Sequence, residues 1–138
     1  KILPYIDLEY STEMALGVHW DELEFNERKI FERDIKNSLM NEYVGILSDL
    51  AIWEDIKVSV DEDYIQNGNM AKINVSLSLE GENSSTSVTL KLIRKNRWKI
   101  YDLEYQSISL IDLEKMGYNS KIKRQGVEKL IQKMLKKS

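Results

Sequence analysis

Arg97-Trp98-Lys99-Ile100-Tyr101-Asp102-Leu103-Glu104-Tyr105-Gln106-Ser107-Ile108-Ser109-Leu110 is a long strand-like run, rich in aromatic and branched side chains. It is longer than an ordinary strand of about five or six residues, and too polar for a membrane span. Trp98 and Ile100 share one parity, Tyr101, Leu103 and Tyr105 share the other, and Ile108 and Leu110 return to the first. One extra residue sends every later side chain to the opposite face, so this double switch predicts a bulged or strongly bent strand. Such a strand curls its sheet and gives it a concave face.

Upstream, Ala71, Ile73, Val75, Leu77 and Leu79 alternate with Lys72, Asn74, Ser76, Ser78 and Glu80, the pattern of a half-buried strand. Val88, Leu90 and Leu92 alternate with Ser87, Thr89 and Lys91 in the same way. Lys57 through Ile65 reads as a first strand. Gln66-Asn67-Gly68-Asn69, Gly81 to Ser85 and Lys95-Asn96 are turn signals, Asn and Gly tolerating positive φ. Four strands joined by short polar turns make an antiparallel meander with one apolar face.

Helices flank the meander. Ile6, Tyr10 and Met14 are spaced by four, with Gly17 placed to stop a helix over about 5–16. Phe31, Ile35, Leu39, Tyr43 and Leu47 recur every four residues in a second helix over about 25–50. Its start lies among Asp21, Glu22, Glu24 and Glu27, which suit the positive end of a helix dipole. This helix is expected to cover the sheet, with Phe31, Ile35 and Leu39 facing Ala71 to Leu79. Beyond Leu110 a helix spans about 112–123, and Gly126 breaks it from a closing helix with Val127, Leu130, Ile131, Met134 and Leu135 on one side and lysines on the other. The expectation is a single α+β domain over residues 1–138, a curved four-stranded antiparallel sheet packed against N-terminal and C-terminal helices.

The 138 residues suffice for one sizeable core. With no cysteine, disulfides, thiol nucleophiles and thiolate metal sites are excluded. His19 is the one histidine, and the acids near it read as helix-start residues, so no metal site is expected. The chain carries no GxSxG, P-loop or GxGxxG motif. Asp102 is the acid to weigh for chemistry, since parity with Trp98 and Ile100 predicts apolar surroundings. The plainer reading is a carboxylate bonded to nearby backbone N–H groups or to a tyrosine, and no oxyanion partner can be assigned to it. Residues 1–70 carry sixteen acids and six bases, net −10, whereas 71–138 carry seven acids and fourteen bases, net +7. That asymmetry fits either attraction between solvated faces or a docking surface of mixed sign. The basic closing helix does not suggest nucleic acid, because the domain is acidic overall and lacks an aromatic-basic RNA motif. Anionic headgroups or an acidic partner are its functional alternatives.

The C-terminal part, "RWKIYDLEYQSISLIDLEKMGYNSKIKRQGVEKLIQKMLKK", resembles the MlaC (toluene-tolerance) family of periplasmic phospholipid-binding proteins. It has that family's Trp-x-x-Tyr-Asp strand, serine-bearing strand end, helix, glycine and closing helix. The N-terminal half is similar to the family as well, through Leu3-Pro4-Tyr5, Leu16-Gly17, Trp20, Arg28, Phe31 and Tyr43. The family's glutamate-glycine-valine-serine after the fourth strand is here Gln106-Ser107-Ile108-Ser109, which puts in doubt partner contacts that need the glycine. Its further helical segment before the proline-tyrosine motif has no counterpart here. With Lys1 in first place, a processed or trimmed chain, or a divergent member, is expected.

The resemblance implies a cystatin-like architecture and a non-catalytic periplasmic carrier that moves phospholipid between outer- and inner-membrane machinery to maintain outer-membrane lipid asymmetry. It implies an inner-membrane ABC transporter complex and an outer-membrane lipoprotein complex as partners. No cofactor is implied, phospholipid being cargo. On the inferred inward faces, Leu16, Phe31, Ile35, Leu39, Val75, Leu77, Tyr101 and Leu103 are the candidates for acyl-chain contact. A non-catalytic adaptor with a filled core and a small-molecule enzyme on the same architecture are the alternatives.

Overall fold

The computed structural model describes residues 5–51, 56–79 and 85–137. Helix α1, Leu8–Leu16, starts where the Asp7 carboxylate accepts from the Tyr10 N–H at 3.0 Å, an N-cap bond. It stops at Gly17, whose φ of 57° favours glycine and where an added Cβ would lie 3.2 Å from Cε of Lys115. A 3₁₀ turn, Gly17–Glu22, leads to α2, Phe25–Ala51. The Glu27 carboxylate reaches back to the Glu24 N–H at 2.8 Å, half of a capping box, so the acidic run serves the helix start as expected. Arg28 ties turn to helix: its Nε donates to the Trp20 carbonyl at 3.1 Å, and its guanidinium lies 4.3 Å from the centre of the Trp20 ring.

The sheet contains β1 (Ile56–Val60), β2 (Ile65–Asn67), β3 (Met70–Leu79), β4 (Ser85–Arg94), β5 (Trp98–Tyr105) and β6 (Ile108–Ser109). The order is β1-β3-β4-β5-β6, every pair antiparallel, with β2 also on β3. Six strands among the described residues thus replace the four expected. The supposed first strand is two, paired with opposite ends of β3. Between them the Asp63 N–H turns back to Oδ1 of Asp61 at 3.1 Å, a local side-chain bond that competes with the ladder.

The long run 97–110 resolves into a bulge and a turn. Leu92 pairs with Ile100 and Lys91 with Asp102, leaving Tyr101 as the extra residue of β5. This accounts for the first parity switch. The second is not a bend but the end of the strand: Gln106 and Ser107 both take positive φ, 53° and 65°, and fold β6 back onto β5. Gln-Ser lacks the Asn-Gly signature of such turns, so the sequence pattern hid it. Helix α3, Leu110–Gln125, then starts on Ser109, whose hydroxyl oxygen accepts from the Asp112 N–H at 3.0 Å. It ends at Gly126, and α4, Val127–Lys137, follows. Among the described residues no helix is long and apolar enough to cross a membrane.

Among the described residues the buried apolar cluster belongs to the helices and the link before α2. Ala15, Leu16, Leu23, Phe31, Ile35, Leu39, Ile111, Tyr118, Leu130, Ile131 and Met134 close on one another, with no sheet residue among them. The expectation that Phe31, Ile35 and Leu39 face back onto Ala71 to Leu79 is therefore corrected. Two further amphipathic helices arrive after the sheet and seal that face of α2, and periodicity does not reveal which apolar partner a face will choose. Helices and sheet join instead along β5. Ile6 bridges Ile100 in parallel, Asp7 N–H donates to the Ile100 carbonyl at 2.9 Å, and the Ser11 hydroxyl donates to the Tyr101 carbonyl at 2.6 Å.

Candidate functional site

Strand register sorts the sheet into two unlike faces, because residues paired across strands point the same way. Ala71, Leu92 and Ile100 form one cross-strand row, Ile73, Leu90 and Leu103 the next, and Val75, Val88 and Tyr105 a third. The reverse face is mainly polar, with Met70 and buried Ile93 as an apolar row at one end. There the Thr89 hydroxyl donates to Oδ1 of Asn74 at 2.7 Å, and the Lys91 ammonium stands 3.4 Å from Asp102 and 3.0 Å from Glu104. Burial acts to lower the pKa of Lys91, but the bond to Glu104 and the charge of Asp102 outweigh it and hold the ammonium above the usual lysine value.

Leu103 is buried on the apolar face, yet Ala71, Ile73, Val75, Leu77, Val88, Leu90, Leu92 and Ile100 stay half-buried. At the β2 end of this face a groove of about 300 Å³ is lined by Tyr64, Gln66, Ala71, Ile73, Leu92 and Trp98. That is at the small end for a ligand site, so a longer amphiphile would extend from it along the apolar rows. A larger groove of about 670 Å³ includes Asp7, Glu9, Glu32, Lys95, Arg97 and Lys99 in its lining. A cleft of about 310 Å³ between helices includes Arg33, Asp34, Glu114 and Lys121. Covering such charges with hydrocarbon would strip them of water without compensation. Of these three grooves among the described residues, the sheet groove is the one chemically suited to apolar chains.

The structure divides the eight candidate contacts. Leu16, Phe31, Ile35 and Leu39 lie together inside the helical cluster, where Phe31 meets Tyr118 edge-on, centroids 5.2 Å apart. Val75, Leu77 and Leu103 lie on the apolar sheet face. Tyr101, the bulge residue, meets Tyr10 edge-on at 4.9 Å, and burial raises the pKa of its phenol. The groove brings forward residues that sequence reasoning had placed on strands without a role, Ile73 and Leu92 above all. They carry the same alternation as Val75 and Leu77, but only the register sets them beside Trp98.

Asp102 is turned away from Trp98 and Ile100, because the bulge at Tyr101 intervenes. It pairs across to Lys91 on the polar side and is buried where β5, β6 and α3 meet. It accepts from the N–H groups of Leu103 (2.7 Å) and Ile111 (3.1 Å) and from the Ser109 hydroxyl. This is the backbone-bonded carboxylate of the plainer reading, and the apolar surroundings inferred from parity are corrected. Tyr118, not singled out in the sequence, is buried with its hydroxyl donating to Oδ2 of Asp34 at 2.7 Å. Spacings of seven and four from Ile111 to Tyr118 and Ile122 were the available signal.

Comparison with known proteins places this architecture. A phospholipid-binding protein from Ralstonia solanacearum, solved in complex with a phospholipid, superposes with a TM-score of 0.82 over 99% of this chain and 75% of that one, at 21% identity. The fold is therefore shared with that protein. The intermembrane phospholipid transport system binding protein MlaC of Haemophilus influenzae is 22% identical over 138 residues, covering 96% of this chain. The chain spans 63% of the length of that relative. The family model described as MlaC protein matches residues 1–136, and the chain belongs to the MlaC family.

Proposed function

We propose that the protein is a non-catalytic phospholipid carrier working in the periplasm. In this reading it shuttles lipid between an outer-membrane lipoprotein complex and an inner-membrane ABC transporter complex, so maintaining outer-membrane lipid asymmetry. The observation that carries the proposal is the half-buried apolar sheet face with its groove beside Trp98. A contiguous, incompletely covered apolar surface on a folded domain marks a binding site. Membership of the MlaC family and the fold shared with a phospholipid-bound protein support phospholipid as the ligand.

Transfer of an acyl chain from water to such a surface is worth about 0.8 kcal/mol per buried CH₂. A carrier needs that apolar surface together with a rim for the headgroup, and no nucleophile. Gentle purification without detergent, followed by native mass spectrometry and lipid extraction, tests the proposal. Co-purifying phospholipid at close to one per protein is expected. A protein that stays folded, carries no lipid and takes none up from vesicles would favour the filled-core adaptor.

A further inference from the structure

We propose that Arg94 receives the phosphate of the lipid whose chains lie in the sheet groove, a deepening that rests on the carrier reading above. Arg94 follows Leu92 by two residues on β4 and so shares its face. Its register partner is Trp98, and its guanidinium carbon lies 5.4 Å from the centre of the Trp98 ring. Leu92 and Trp98 both line the groove. The backbone beneath is held as well, the Arg94 N–H donating to the Asn69 carbonyl at 2.8 Å. A positioned cation thus stands at the end of an apolar trough, the charge pattern an anionic amphiphile requires.

The neighbouring lysines are paired elsewhere or turned away. Lys91 is shared between Asp102 and Glu104 on the polar face, and Lys95 pairs with Asp7 at 3.3 Å. Lys99 is the register partner of Ile93 and lies on the face opposite Leu92. Arg94 is exposed and has no carboxylate within ion-pair distance among the described residues. The cation–π contact with the indole holds the guanidinium at the groove while it stays exposed, and its planar fork of N–H donors matches two phosphate oxygens at once. The ligand class is a phosphate-bearing lipid rather than a neutral diacylglycerol or a free phosphate ion.

The experiment titrates wild type, Arg94→Gln, Arg94→Lys and Lys95→Gln with dioctanoyl phosphatidylglycerol, dioctanoylglycerol and inorganic phosphate by calorimetry at fixed salt. Arg94→Gln is expected to weaken phosphatidylglycerol binding about tenfold, Arg94→Lys less, and Lys95→Gln not measurably. Dioctanoylglycerol should bind all four proteins alike, and inorganic phosphate at millimolar concentration should not displace the lipid. Equal phosphatidylglycerol affinity for wild type and Arg94→Gln would overturn the assignment while leaving the carrier reading intact. An equal loss in Lys95→Gln would overturn it too, by tracing the effect to general charge, and displacement by inorganic phosphate would make the site a simple anion site. Failure of the folded wild type to bind either lipid would overturn the carrier reading, and this inference with it.

Discussion

Asp102 holds three elements together with one carboxylate. It serves the N–H groups of Leu103 and Ile111 and the Ser109 hydroxyl, with Lys91 3.4 Å away. Asp102→Ala strands buried donors and leaves Lys91 with Glu104 alone, a loss of about 3–5 kcal/mol. Asp102→Asn keeps an acceptor oxygen and should cost clearly less. Urea unfolding of both variants checks this, and equal midpoints would mean that the carboxylate is not a clamp. Tyr118 gives a pH signature. Burial, reinforced by Asp34, raises its phenol pKa well above the ordinary value of about 10, so the folded state keeps a proton that the unfolded chain releases. Its contribution is full below pH 10 and is lost as pH rises beyond it. Between pH 9 and 11 the wild type should therefore lose stability more steeply than Tyr118→Phe. Parallel curves for the two proteins would count against a proton held at Tyr118.

At the scale of elements, α2 and β3 both carry regular apolar stripes, but the structure gives them different tasks. The α2 stripe through Phe31, Ile35 and Leu39 is sealed among helices, whereas the β3 stripe through Ile73, Val75 and Leu77 is half-open. Leu39→Asp should consequently act on folding, burying a charge with no partner at a cost of about 4 kcal/mol or more. Ile73→Asp places its charge beside solvent in the groove. It should remain folded by circular dichroism yet retain less than half the phospholipid of the wild type, counted as phosphorus per protein. If Ile73→Asp held a full complement of lipid while Leu39→Asp stayed folded and empty, the site would have to move from the sheet face to the helical cluster.

The whole molecule joins a closed helical core to a sheet with an open apolar face, linked along β5 by Ile6, Asp7 and Ser11. Once stripped of lipid, such a protein should bind a hydrophobic dye such as anilinonaphthalene sulfonate, and added phospholipid should displace the dye. Ile73→Asp should blunt that signal. Replacing Lys133, exposed on α4, should leave both dye and lipid binding unchanged and at most alter docking to a partner. A delipidated wild type that binds no dye would show the face to be closed in solution.

Sequence alone determined the local structure: the acidic start of α2, the stops at Gly17 and Gly126, the alternation of β3 and β4, and an extra residue in the run after Trp98. Each depends on near neighbours through backbone geometry and side-chain period, so each is written locally. The family, too, was legible in scattered residues such as Leu16-Gly17, Trp20, Arg28 and Phe31. Tertiary structure decided which apolar faces meet. Hydrophobic attraction has no direction, so the stripe on α2 could satisfy itself against the sheet or against α3 and α4, and its pattern would read the same. The Gln106-Ser107 turn, the reversal of Asp102 by the bulge at Tyr101, and the placing of Arg94 beside Trp98 at the groove likewise arise only when strands are brought into register. Register is a relation between distant segments, and no single segment contains it.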